Sequence, residues 1–162
     1  MPEVQTSPTS VKMDLPDEAA TAAIAQSLAG PARRGDVFTL TGALGTGKTV
    51  FARAFIRARG GASEEVPSPT FTLVQVYELP GGTVYHFDLF RIADAGEVFE
   101  LGMEEAFAGG ISLIEWPQGL EGVLPADRVD VALCFARTPE ARRVRLTGYG
   151  AGRKRLREAG LV

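Results

Sequence analysis

GALGTGKT, residues 42–49, fits the phosphate-loop pattern G-x-x-x-x-G-K-[ST] at every fixed position. Gly42, Gly45 and Gly47 can take backbone angles closed to residues with a Cβ, so successive N–H groups can turn inward and form a concave anion nest. Lys48 adds a point charge near the β and γ phosphates of a nucleotide, and the Thr49 hydroxyl is placed to ligate Mg²⁺ at the positive end of the helix that follows. The flanks supply the setting this chemistry needs. GDVFTLT, residues 35–41, is an apolar run with β-branched residues, and TVFARAFIRARG after the loop carries Val50, Phe51, Ala54, Phe55 and Ala58 at helical spacing. A strand, a Gly loop and a helix predict a nucleoside triphosphate and Mg²⁺ as ligands.

Outward from the loop, 162 residues at 45% hydrophobic composition suit one domain, 1–162, with one substantial core and no internal repeat. Residues 1–14 are expected to be a flexible lead-in and 150–162 a short polar C-terminal tail, for which GRKRLREAG also offers a helical reading. Residues 1–14 contain no secretory-type apolar segment, and no run approaches the ~20 apolar residues of a membrane span, so a soluble, cytoplasmic protein is expected. Cys134, the single cysteine, lies in the apolar run VDVALCF and reads as a packed thiol. A net charge of −3 argues against wholesale coating of nucleic acid, yet Arg137–Arg157 holds eight basic groups against Glu140 alone, with Glu158 just beyond. Such a stretch is usually a solvated face; its functional reading is contact with RNA or an acidic partner.

DEAATAAIAQSLAG, residues 17–30, reads as a helix capped by Asp17 and stopped at Gly30-Pro31. Two β-rich runs around Pro80-Gly81-Gly82 read as a hairpin, and residues 94–110 as one or two short helices. ISLIEW is a continuous apolar run of the kind buried on both faces of a parallel sheet. RVDVALCF and RRVRLTGY are further strand candidates. The expected class is α/β: a phosphate-loop NTPase-like three-layer sandwich with a mainly parallel central sheet and a hairpin.

A Mg²⁺–nucleotide site calls for a carboxylate at the tip of a second buried strand. Glu115 ends the cleaner buried run and is assigned to the metal. Asp88 ends a period-two strand that puts Val84, His86 and Asp88 on one face, which suits it to orient an attacking water or hold a metal-bound one. The plainer reading of a strand-ending Asp is a turn residue. Lys48, Asp88 and Glu115 thus form the catalytic set. His86, the only histidine, and Trp116, the only tryptophan, are by residue type more often structural, and Thr70 in SPTFT is either part of a Pro-set turn or a γ-phosphate sensor.

Taken in order, DEAAT, GALGTGKT, SPTFTLV, VYHFDLFR, ELGMEEAF, LIEWP and VLPADR resemble the bacterial TsaE (YjeE) family over residues 15–147. The resemblance implies a small ATPase of tRNA threonylcarbamoyladenosine synthesis. It implies that Gly45, Thr46, Gly47, Lys48, Thr49 and Val50 hold the phosphates and that Thr49 and Glu115 bind Mg²⁺. Asp88 takes the family's required acidic position, Trp116 lies near the nucleotide, and Thr21 approaches the base. The implied partners are ATP and ADP, a TsaB–TsaD complex that modifies adenosine 37 of tRNAs reading codons that start with A, and tRNA itself, met indirectly or through the basic C-terminal region. Ala43, Thr46, Val50 and Phe90 depart from the family's GDLGAGKTT and HFDLYR, and Phe90 lacks the tyrosine hydroxyl. The rival readings are a small nucleotide or nucleoside kinase and a nucleotide-gated adaptor. A GTPase would need an Asn-Lys-x-Asp segment, which a chain without Asn cannot hold.

Overall fold

The computed structural model describes residues 7–60, 65–69, 72–92, 95–120 and 122–162. In chain order its elements are β1 (Thr9–Leu15), α1 (Glu18–Ala29), β2 (Val37–Thr41), α2 (Lys48–Gly60), β3 (Val74–Leu79), β4 (Gly82–Asp88), α3 (Ala95–Glu100), α4 (Met103–Gly109), β5 (Ile111–Glu115), a 3-10 turn (Pro117–Leu120), β6 (Arg128–Phe135), β7 (Arg142–Tyr149) and α5 (Ala151–Glu158). The strands form one sheet in the order β1-β7-β6-β2-β5-β4-β3. Its central four strands, β6-β2-β5-β4, are parallel, and β1, β7 and β3 pair antiparallel at the flanks.

β5 is buried along its whole length, as its uninterrupted apolar run predicts. Alternation along the central strands feeds two cores. Phe38, Leu40, Leu113 and Val84 face α1 and α2, where Phe38 meets Phe55 with ring centroids 5.1 Å apart. Val37, Ile114 and Phe87 face the opposite way and pack with Val98, Met103, Ala106 and Leu120 of α3, α4 and the 3-10 turn. This is the expected three-layer sandwich. Asp17 caps α1 by accepting from the Ala20 N–H at 2.9 Å, and the hairpin turns at Pro80-Gly81 between β3 and β4.

Several expectations are corrected. The flexible lead-in is wrong for residues 9–14, which belong to β1 and pair with β7 from Thr9↔Gly148 to Leu15↔Arg142. That strand spans half-buried Val11 and Met13, which pack on the first core. In the C-terminal tail the helical reading holds, and what differs from a plain polar tail is that α5 is packed on the sheet. Gly152 lets α5 lie directly on β6, because a Cβ there would strike the Arg128 carbonyl. Arg155, 7% exposed, then donates to Asp36 at 2.6 Å. Cys134 is exposed rather than packed, because α3, α4 and the 3-10 turn cover this face only over the β2-β5-β4 half of the sheet. On α2 the buried line runs through Phe51, Ala52, Phe55 and Ile56, while Val50, Ala54 and Ala58 line an open groove against α1.

Candidate functional site

Parallel strands end on one edge, and here that edge gathers the polar residues. The loop from Gly42 to Gly47 joins the central strand β2 to α2, as the strand–loop–helix reading requires. Gly42, Gly45 and Gly47 have φ of 141°, 83° and 110°, the region that penalises a Cβ. At Gly42 the steric demand is also direct, since a Cβ would collide with the Leu133 carbonyl. Thr46, where the family pattern has alanine, is fully buried and donates its hydroxyl to the Ala43 carbonyl at 2.8 Å, bracing the loop from inside.

Strand register brings the two carboxylates together. Asp88 and Glu115 are Cα partners at the ends of β4 and β5, and Leu40 of β2 is the partner of Glu115 on its other side. Glu115, 3% exposed, accepts from the Thr49 hydroxyl at 3.1 and 3.3 Å. A hydroxyl and a carboxylate meeting at one point are hard oxygen donors, the type that Mg²⁺ takes. Among the described residues no group of three or more His, Cys, Asp or Glu side chains is arranged to hold a metal. A cation at Thr49 and Glu115 would therefore complete its shell with phosphate and water oxygens, as Mg²⁺ commonly does. Asp88 is 5% exposed, and its Oδ1 accepts from the Phe90 N–H at 3.1 Å, so the turn role weighed for a strand-ending Asp is present as well.

Lys48 lies folded against its own loop. Its ammonium donates to the Gly42 and Ala43 carbonyls at 2.6 and 2.9 Å and sits 4.1 Å from the centre of the Trp116 ring. Burial lowers its pKa, against the opposing pull of Glu115 and Asp88. Trp116 is half-buried, so it is not a core residue. It holds a positive φ of 59° directly after Glu115, a conformation costly for a bulky side chain, and this turns the ring over the loop and against Phe90 at 4.9 Å.

These residues line one cleft of about 350 Å³, which also takes in Thr21 of α1 and the stretch Gly45–Val50. Every assigned site residue lies on it. Thr70 lies outside the described residues. Glu18, Leu44, Ser68, Glu140 and Arg142 also line the cleft, and the sequence gives them no role there. Arg142 donates to the Gly45 carbonyl at 3.1 Å and stacks 4.8 Å from the Phe135 ring centre. In sequence the stretch Arg137–Arg143 leaves a base contact open without fixing a residue, because only the β6–β7 hairpin returns Arg142 to the loop. The basic C-terminal stretch does not form one free surface: Arg142 reaches the loop, Arg143 pairs with Asp14, and Arg155 is buried against Asp36.

The model of the family described as "Threonylcarbamoyl adenosine biosynthesis protein TsaE" matches residues 15–144. The chain is 39% identical over 119 residues to a Rickettsia bellii protein named tRNA threonylcarbamoyladenosine biosynthesis protein TsaE, covering 74% of this chain and 83% of that one. A Bacillus subtilis protein of the same name is 39% identical over 131 residues, 80% of each chain. The crystal structure of YdiB from Bacillus subtilis superposes with a TM-score of 0.81 at 29% identity, covering 96% of this chain and 97% of that chain. No helix among the described residues is long and apolar enough to cross a membrane.

Proposed function

The chain belongs to the TsaE family of threonylcarbamoyl adenosine biosynthesis proteins, and from that premise we propose that it is a Mg²⁺-dependent ATP-binding and ATP-hydrolysing protein that sustains repeated tRNA modification. It acts with a TsaB–TsaD-type complex, which forms N6-threonylcarbamoyladenosine at position 37 of tRNAs reading codons that start with A. The observation that carries this reading is the convergence of the phosphate loop, Thr49, Glu115 and Asp88 on one cleft at the carboxyl edge of the parallel strands.

The residues divide the work by position. The amides of Gly45 to Val50, at the start of α2, receive phosphate oxygens, and Lys48 turns from its loop carbonyls to the same anion. Thr49 and Glu115 hold Mg²⁺, which when bound neutralises charge on the phosphate oxygens. Asp88 orients the water that attacks the γ-phosphate. Thr21 and Trp116 flank the nucleotide from α1 and from the end of β5.

The partner half of the reading has its own support. Leu44 at the loop tip, Phe90 beside Trp116 and Phe135 beside Gly45 are 69%, 53% and 55% exposed. Large apolar side chains clustered around a cleft mark an interaction surface, and a partner seated on these three would cover the nucleotide. ATP hydrolysis by the purified chain is therefore expected to be slow and to change when the TsaB–TsaD complex is added. Measuring phosphate release beside transfer to nucleosides tests this against the kinase. Release to water that responds to the complex supports the ATPase, while partner-free phosphorylation of a nucleoside or nucleotide replaces it with the kinase. Hydrolysis that the complex leaves unchanged would favour the adaptor.

Trp116 reports on the same cleft. ATP or ADP is expected to give a saturable change in its fluorescence as Lys48 leaves the ring face, and the change should vanish in Lys48→Ala. A silent Trp116, with binding shown by calorimetry, would place the nucleotide elsewhere.

A further inference from the structure

His86 is fully buried in β4, and its Nε2 lies 2.6 Å from Oε2 of Glu115. Its other ring nitrogen, Nδ1, is buried with no hydrogen-bond partner among the described residues. The tautomer follows from the Glu115 contact: an ionised carboxylate can only accept, so Nε2 carries the proton and donates to Glu115. As packing alone, this is a poor use of a core position. A leucine would fill a strand interior without leaving a buried polar atom unsatisfied. What histidine adds is a rigid donor aimed at Glu115, the carboxylate that also meets the Thr49 hydroxyl at 3.1 and 3.3 Å.

We propose that His86 is a positioning residue that holds Glu115 in the orientation shared with Thr49, so that the metal-binding carboxylate is set before nucleotide enters. The inference rests on the nucleotide-site reading above. Register explains why this residue does it. β4 and β5 are parallel with Asp88 opposite Glu115, so the residue two before Asp88 shares its face and sits behind Glu115, on the side away from the cleft mouth. Asp88 faces the cleft, and His86 fixes its neighbour from within. Such outer partners fix the orientation of metal ligands, and their loss typically weakens metal affinity by about 10- to 100-fold.

The test compares the full chain with His86→Leu, which removes the donor, and His86→Gln, whose amide reaches a similar point. Binding of adenylyl imidodiphosphate is measured by calorimetry across a Mg²⁺ series, with EDTA as baseline. In His86→Leu the Mg²⁺ concentration that half-restores tight binding should rise by about 10- to 100-fold. His86→Gln should stay within about threefold of wild type because a donor is retained, and affinity in EDTA should match in all three. Should the leucine variant fail to fold, His86→Asn, whose amide falls short of Glu115, takes its place with the same expected rise. A folded donor-less variant with wild-type Mg²⁺ dependence overturns the inference, as does equal impairment in His86→Gln, which would mean that packing alone is felt. A wild-type chain that binds the nucleotide without regard to Mg²⁺, or not at all, overturns the site reading and this inference with it.

Discussion

Asp88→Ala is expected to abolish ATP turnover while leaving nucleotide affinity near the wild-type value. Asp88 sits beside Glu115 at the strand ends, and Glu115 is the carboxylate that meets the Thr49 hydroxyl, so Glu115 is proposed for the metal and Asp88 for the attacking water. A positioned acid–base group typically contributes about 10²- to 10⁴-fold in rate, and the loss should fall on that scale. Affinity is spared because the residue repels phosphate if it acts on it at all; removing a negative charge beside Lys48 does not weaken anion binding. The Phe90 N–H loses its acceptor in this variant, so Asp88→Asn serves as the control that keeps a side-chain oxygen for it. Phosphate release and calorimetry on the same preparations check the result. Glu115→Ala should instead weaken the Mg²⁺ dependence of binding. Reversed phenotypes would mean that the two carboxylates exchange roles.

Lys48→Ala is expected to lower ATP affinity by roughly 10- to 150-fold, the equivalent of losing a hydrogen bond to a charged group worth about 1.5–3 kcal/mol. The nest amides remain, so binding weakens without vanishing. The same substitution should also change how stability depends on pH. Burial lowers the Lys48 pKa below its ordinary 10.5 despite Glu115 and Asp88, so the folded protein binds this proton more weakly than the unfolded chain. Where the unfolded state binds more protons, stability rises with pH. In the nucleotide-free protein, the charge therefore costs stability at neutral pH, and that cost fades as pH climbs through the lowered pKa towards 10.5. Denaturant titrations across that window should show the rise in wild type and its loss in Lys48→Ala. Undiminished ATP affinity in a folded Lys48→Ala protein would refute the phosphate-loop assignment.

Much of this site is local and therefore readable in sequence. The phosphate loop is a contiguous motif, β5 is a continuous apolar run ending in Glu115, and period two places His86 and Asp88 on one face. The links between strands are not local. That Asp88 lies against Glu115, and that His86 bonds to it, follow from the register of β4 on β5, which is set by tertiary packing. Arg142 reaches Gly45 only because β6 and β7 form a hairpin. The apolar run around Cys134 suggests packing but does not say whether both faces of its strand are covered, and here one face is open. β1 is not legible in sequence because Thr9–Leu15 alternates polar residues with Val11 and Met13 and gains its place only by pairing with β7. On α2 the helical spacing places Phe51 and Phe55 in the core and Ala54 against it, while the buried face also takes in Ala52 and Ile56 and leaves Val50 and Ala58 on the groove.

The decisive measurement is modified nucleoside formed per TsaB–TsaD complex, followed over time with tRNA, ATP, Mg²⁺ and the threonylcarbamoyl donor. With this chain present, product should exceed the amount of complex by many turnovers; with the chain omitted, or replaced by Asp88→Ala, it should stop near one turnover. Nucleotide should tighten the chain's binding to the complex in one state, and linkage requires the complex to alter nucleotide affinity by the same factor in return. Equal multi-turnover product with and without the chain would contradict the account.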